Sequence, residues 1–65
     1  MKKHYIFPST LPHGSNVRNL AYMLREIADR LEHDISPLAE VVKIKSECAL
    51  NEYGNNFELR VLFDD

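Results

Sequence analysis

The residues of this chain that could do metal or nucleophile chemistry are three histidines and one cysteine. His4, His13 and His33 lie far apart in the sequence and in different predicted elements, so the four ligands that a zinc ion needs are clustered nowhere. Cys48 would need a histidine beside it to act as a nucleophile, and its place in an alternating pattern predicts an inward-facing, inert side chain. We therefore predict no catalytic residue, no metal site and no cofactor.

The proline-rich segment at residues 8–15 is the first candidate for binding. Its two prolines and one glycine predict a loop, and loops on rigid scaffolds often carry contacts. His13 and Gly14 stand just before a predicted helix, whose first free backbone amides can hold an anion. No glycine-rich phosphate motif accompanies them, which weakens the case for an anion site. We predict His13 as a contact residue, and the alternative is that the segment is a plain connector.

Exposed aromatic and arginine side chains are the second candidate for binding. Tyr22 falls on the polar side of the predicted helix between Arg18 and Arg25, and tyrosine and arginine are enriched among the residues that dominate protein interfaces. Tyr53 stands beside Gly54 at a predicted hairpin tip. We predict that Tyr22, Arg18, Arg25, His13 and Tyr53 contact a partner, and the alternative is an ordinary solvated face.

A helix between Asn16 and Glu32 must position most of these side chains. Its apolar residues recur every three to four positions and predict one stripe that packs on another surface: Val17, Leu20, Ala21, Leu24, Ile27, Ala28 and Leu31. Ser15 or Asn16 is the predicted N-cap, and no capping box is expected because Arg18 stands third after Ser15. The segment at residues 35–37 ends the helix, since a residue before proline is driven out of the helical conformation.

Strand patterns flank the helix. Residues 3–7 predict a short first strand that Pro8 ends, and residues 39–50 predict a second. The alternation in the second strand turns Val42, Ile44, Cys48 and Leu50 inward, and the last strand turns Phe57, Leu59, Val61 and Phe63 inward. Val41, Ala49 and Leu62 fall on the other face. The predicted fold is α+β, in the order β-α-β-β, with one amphipathic helix packed on a small sheet that contains a C-terminal antiparallel hairpin.

Two hairpin registers keep apolar residues opposite apolar residues. A two-residue loop at Gly54 and Asn55 pairs Leu50 with Leu59 and is preferred, whereas a four-residue loop pairs Leu50 with Phe57. A slip of one residue from either register would place the apolar sets on opposite faces.

Length and composition predict one small domain spanning residues 1–65. A chain of 65 residues buries a thin core, and its single cysteine rules out an internal disulfide, so we expect a homodimer. The lone cysteine also predicts a cytoplasmic protein. The apolar run after Lys2 and Lys3 stops at Pro8, so neither a signal peptide nor a membrane span is expected.

In length and order of elements the chain resembles the small tautomerase family. That resemblance implies a β-α-β fold with a following hairpin and assembly into oligomers. The family uses an N-terminal proline as its general base, whereas residue 2 here is Lys2 and the first proline is Pro8. The resemblance therefore concerns architecture and argues against tautomerase activity.

A small nucleic-acid regulator is the other alternative. Lys43 and Lys45 fall on the outer sheet face, but Glu47 and Glu58 share that face, and the chain has eight basic against ten acidic residues. We therefore expect a non-enzymatic module that binds and modulates or inhibits a partner protein. An inhibitor from a phage or mobile element, such as an anti-CRISPR protein, is the concrete version of this expectation.

Overall fold

Three strands and one helix make up the fold. The computed structural model describes residues 1–65 as β1 (Lys2–Pro12), α1 (Val17–Asp34), β2 (Glu40–Asn51) and β3 (Gly54–Asp64). The strand order is β1-β3-β2, and β3 pairs antiparallel with both neighbours. The predicted α+β fold, in the order β-α-β-β with a C-terminal hairpin, is confirmed. The helix lacks the combination of length and apolarity that would let it cross a membrane.

The first strand is much longer than predicted. It continues through Pro8, which lies opposite Glu58, and ends at Pro12, so the predicted loop at residues 8–15 is reduced to residues 13–16. A proline is tolerated here because β1 is an edge strand, where a missing N–H can face solvent instead of breaking a ladder. The extension turns Ser9 and Leu11 to the same face as Tyr5, towards the helix.

The helix begins with a reciprocal cap, although the sequence predicted no capping box. Asn16 is the N-cap; its Oδ1 accepts a hydrogen bond from the Asn19 backbone N–H at 3.0 Å, and Asn19 Oδ1 accepts one from the Asn16 N–H at 2.9 Å. This is a capping box with asparagine in the place usually held by glutamate or glutamine. At the other end the Tyr5 hydroxyl donates to Asp34 Oδ2 at 2.7 Å and ties the last helical turn to β1.

Both predicted hairpin registers were wrong. The turn is Glu52 and Tyr53, so that Leu50 lies opposite Asn55 and Ile44 opposite Val61. Asn51 stabilises this turn, because its Oδ1 accepts hydrogen bonds from the N–H groups of residues 53 and 54. The predicted inward-facing and outward-facing residues of the hairpin nevertheless keep their faces from residue 43 onwards, since the observed register differs from both predicted ones by an even number of residues.

A bulge at Val42 changes one face assignment. The pairing shifts between Val41 and Lys43, which places Val41 opposite Phe63. Val41 was predicted on the outer face and instead lies on the helix side of the sheet. A bulge inserts one unpaired residue and so reverses the side-chain alternation beyond it.

The core is thin and lies beneath one side of the helix. Ile27, Val61 and Phe63 are its buried apolar side chains, and every residue of β2 is exposed. The predicted apolar stripe therefore included residues that are not buried. Val17 is 82% exposed and Leu24 48%, whereas Met23, outside the predicted stripe, is half-buried. The helix packs against β1, the far edge of the sheet, and leaves β2 uncovered.

Candidate protein interface

An apolar trough runs between the C-terminal half of the helix and β2. Leu31 and Ile35 form its helix side, Val41 and Ile44 its strand side, and Val61 and Phe63 reach it from below. Its volume is about 240 Å³. We call this set of residues the apolar trough.

The apolar surface continues along the helix beyond the trough. Leu20 and Leu24 lie on the same side of α1 as Leu31, because spacings of four and seven residues return to nearly the same direction. Both are exposed, and Ile44 on the facing strand is 64% exposed. The helix and β2 therefore present large apolar side chains towards a shared open space.

The trough and the exposed apolar surface beside it were not predicted from the sequence, although their residues were noticed. Leu24, Ile44 and Cys48 were predicted to lie inward, and they do occupy the helix side of the molecule, but all three are exposed. A helix about 10 Å wide covers roughly two strands spaced about 4.8 Å apart, so a third apolar strand stays open. The sequence did contain a signal for this open surface, because it predicted more apolar strand surface than one helix stripe can cover.

The outward face of the helix carries the predicted aromatic and arginine residues. The Arg25 guanidinium carbon lies 5.9 Å from the centre of the Tyr22 ring, and Arg18 lies one turn earlier on the exposed side. Tyr22 is 62% exposed. A cation over an aromatic face holds both side chains in place at an exposed position, which lowers the entropy lost on binding.

His13 and Tyr53 meet at the end of the sheet, next to the hairpin turn. The His13 backbone N–H donates to the Tyr53 carbonyl at 3.1 Å, and His13 Nε2 lies 2.8 Å from the Asn51 carbonyl oxygen. His13 and Tyr22 line one open hollow of about 440 Å³ together with Met23. The structure thus groups Tyr22 with Arg25 and His13, and His13 with Tyr53, while their role in binding stays a prediction.

A basic depression lies on the opposite face of the sheet. His4, Lys43, Lys45 and Arg60 line about 270 Å³ of open space. Two carboxylates reduce its charge: Glu47 lies 3.1 Å from Lys45 and Glu58 lies 3.1 Å from Arg60. The hydrogen bond from Lys45, reinforced by its charge, lowers the pKa of Glu47, so the carboxylate stays ionised at neutral pH.

The three histidines occupy separate places, as the sequence predicted. His4 lies on β1, His13 at the hairpin end, and His33 in the last helical turn, where its Nδ1 is 3.0 Å from Asp34 Oδ1. That contact and the Tyr5 hydrogen bond lower the pKa of Asp34. The two contacts together fix the Asp34 carboxylate at the end of the helix.

No family model matches this chain, and no curated protein and no solved structure matches it either.

Proposed function

We propose that this protein acts without catalysis, by binding a partner protein in the apolar trough. The observation that carries the proposal is the uncovered pair of apolar surfaces, with Leu24 on one side and Ile44 on the other, in a chain that buries three large apolar side chains. A contiguous exposed apolar surface with a polar rim is characteristic of a protein-binding site.

The shape of the trough favours a partner of a particular kind. Helix α1 forms one wall and the sheet forms the floor, while the side beyond β2 is open. An amphipathic helix of a partner, with apolar residues at helical spacing, would lie along α1 and cover Leu24, Leu31 and Ile44. Tyr22 and Arg25, on the adjoining outward face, would contribute to the rim.

The test begins with a tagged capture from a bacterial lysate, with and without nuclease. A protein retained after nuclease treatment is then measured against two variants, L24E on the apolar helix surface that continues from the trough and I6E on the opposite sheet face. Leu24 and Ile6 have similar exposure, 48% and 53%, so the two changes place the same charge in equally accessible positions.

We expect L24E to weaken binding by about tenfold or more, since a hot-spot residue contributes about 2 kcal/mol or more, while I6E binds like the parent. Circular dichroism of both variants verifies the fold. Equal affinities for L24E and the parent protein would contradict the proposal.

The predicted rim is tested separately. Y22A and R25A are expected to weaken the same complex by smaller factors than L24E, because rim contacts stay partly solvated. R18A, H13A and Y53A complete the set of predicted contact residues. If Y22A alone abolished binding while L24E did not, the binding surface would be the outward face of the helix.

A nucleic-acid-binding role is the second candidate, favoured by the basic depression. His4, Lys43, Lys45 and Arg60 lie together there, and the structure adds the first and last of these to the two lysines that the sequence indicated. The expected signature is binding that weakens with salt and weakens further in the K43A/K45A variant. A capture signal lost on nuclease treatment would favour this role.

The anti-CRISPR version of the function stays a prediction. So does cytoplasmic localisation. The proposal itself concerns the trough and the amphipathic character of what it binds.

A further inference from the structure

We propose that two copies of this chain pair through the free edge of β2, antiparallel and centred on Ser46, to form a six-stranded sheet. This inference does not depend on the partner proposed above, because it uses the backbone edge of β2 rather than the surface of the trough.

The two edges of the sheet differ in their capacity to pair. With the order β1-β3-β2, the edge strands are β1 and β2. Pro8 and Pro12 interrupt β1, and each removes a backbone donor. β2 runs for 12 residues without proline or glycine, all of them exposed. β2 does carry Lys43, Lys45 and the bulge at Val42, which are features that discourage pairing, but none of them removes a backbone donor. Of the two edges, β2 is therefore the one that a second chain can extend.

The sequence of β2 is complementary to itself about Ser46. In an antiparallel pair with Ser46 opposite Ser46, Lys45 lies opposite the partner's Glu47, and Ile44 lies opposite the partner's Cys48. By symmetry each pair occurs twice. The Lys45 ammonium is already 3.1 Å from Glu47 of its own strand, so the four charges would alternate in sign around the two-fold axis.

Neighbouring registers bring two like charges together at the centre, although centring on Lys45 also places Lys43 opposite the partner's Glu47. Centring the pair on Lys45 places Lys45 against the partner's Lys45, and centring it on Glu47 places two glutamates against each other. Like charges directly opposite one another in a sheet are destabilising. The bulge at Val42 lies just outside the complementary stretch at residues 43–49 and limits further slippage.

Pairing would also give exposed apolar residues of this thin-cored chain new neighbours. It places both helices on the same face of the joined sheet, because residues of equal parity lie opposite each other in this register. The uncovered helix side of β2 then lies beside that of the partner's β2, so the open strip between the two helices is two strands wide, or about 10 Å. Ile44, exposed in one copy, gains the partner's Cys48 as a neighbour.

Charge exchange at the centre is the first test. In reducing buffer, K45E and E47K are each expected to raise the dimer dissociation constant about tenfold or more, since each replaces two attractive pairs with two repulsive ones. The double variant K45E/E47K restores both pairs with the signs exchanged and is expected to return the dissociation constant to near the parent value. Sedimentation equilibrium gives these constants, and circular dichroism verifies the fold of each variant.

Cross-linking fixes the register. With the native thiol removed by C48A, the variant S46C places two thiols directly opposite each other, with Cα atoms about 4.5–5.5 Å apart, a separation that a disulfide can span. K43C in the same background is the matched control, because its two thiols would lie six residues apart along the strands. We expect rapid oxidative dimerisation of S46C/C48A and little of K43C/C48A.

A monomeric parent protein at millimolar concentration would overturn this inference and leave the partner-binding proposal intact. A dimer in which K45E/E47K is no better than the single variants, or in which K43C/C48A cross-links as fast as S46C/C48A, would show another interface and overturn it as well.

Discussion

At the scale of single residues, Ile27 anchors the helix and Leu24 does not. Ile27 is 5% exposed and Leu24 48% exposed, although both belong to one apolar stripe. We expect I27A to lower the free energy of unfolding by about 2–5 kcal/mol, as for a core aliphatic residue, and L24A by roughly 1 kcal/mol, because less area is lost from contact. Urea denaturation at one fixed protein concentration compares them.

Equal losses for I27A and L24A would mean that the apolar surface beside the trough is covered in solution. In that case Leu24 would be covered either by a movement of the helix or by a second chain. Repeating the comparison in the K45E background, at a concentration where this variant is monomeric by sedimentation, separates these two causes.

At the scale of elements, the end of the hairpin is fixed by a close approach between strands. Gly54 has φ +146°, a conformation that side chains rarely adopt, and a Cβ atom there would collide with the Leu11 carbonyl oxygen of β1. Gly14 also has positive φ, +84°, but nothing lies within 4 Å of its missing Cβ. An alanine at residue 14 would therefore suffer backbone strain alone, whereas an alanine at residue 54 would suffer backbone strain and a steric collision.

We expect G54A to destabilise the protein clearly more than G14A. The control should lose about 1–2 kcal/mol from the left-handed backbone alone, whereas G54A also forces β1 away from the turn. Thermal unfolding followed by circular dichroism measures both. Similar melting temperatures would indicate that the end of β1 is not packed against residue 54 in solution.

The same elements show what the sequence could and could not predict. Helix position and strand faces follow from periodicity, which residues such as Ile27 and Val61 display locally. The register depended on contacts that no local pattern contains, namely the Asn51 side chain in the turn and the approach of Leu11 to Gly54. The extent of β1 depended on its becoming an edge strand, where Pro8 is tolerated.

Of the candidate interface, the sequence predicted the exposed pair on the helix but not the trough. Tyr22 and Arg25 were predicted as exposed neighbours and do contact each other, because they lie three residues apart on one helix. The trough was not predicted, since the periodicity of one segment shows which side of a helix is apolar but not how many strands lie beneath it. Leu24 and Ile44 match the core pattern in sequence and differ from core residues only in tertiary placement.

At the scale of the whole molecule, the single chain is too extended for its length. Its radius of gyration is 13.1 Å and its dimensions are 41 × 19 × 13 Å. A compact domain of this length would have a radius of about 11 Å. An elongated sheet covered by one helix exposes more surface than a compact domain of 65 residues does. Pairing along β2 would make the sheet wider and the molecule more compact.

The stability of the protein should therefore depend on its concentration. If the paired state is the stable one, mass action raises the melting temperature of the parent by about 5 °C for a hundredfold rise in protein concentration, whereas a monomer shows no such rise. The measurement is differential scanning calorimetry in reducing buffer, so that the exposed Cys48 does not form intermolecular disulfides. K45E, with its repulsive centre, is the control and should show a smaller rise. A parent protein whose melting temperature stays constant over this range would show that its fold is sustained by one chain, with Ile27, Val61 and Phe63 as a sufficient core.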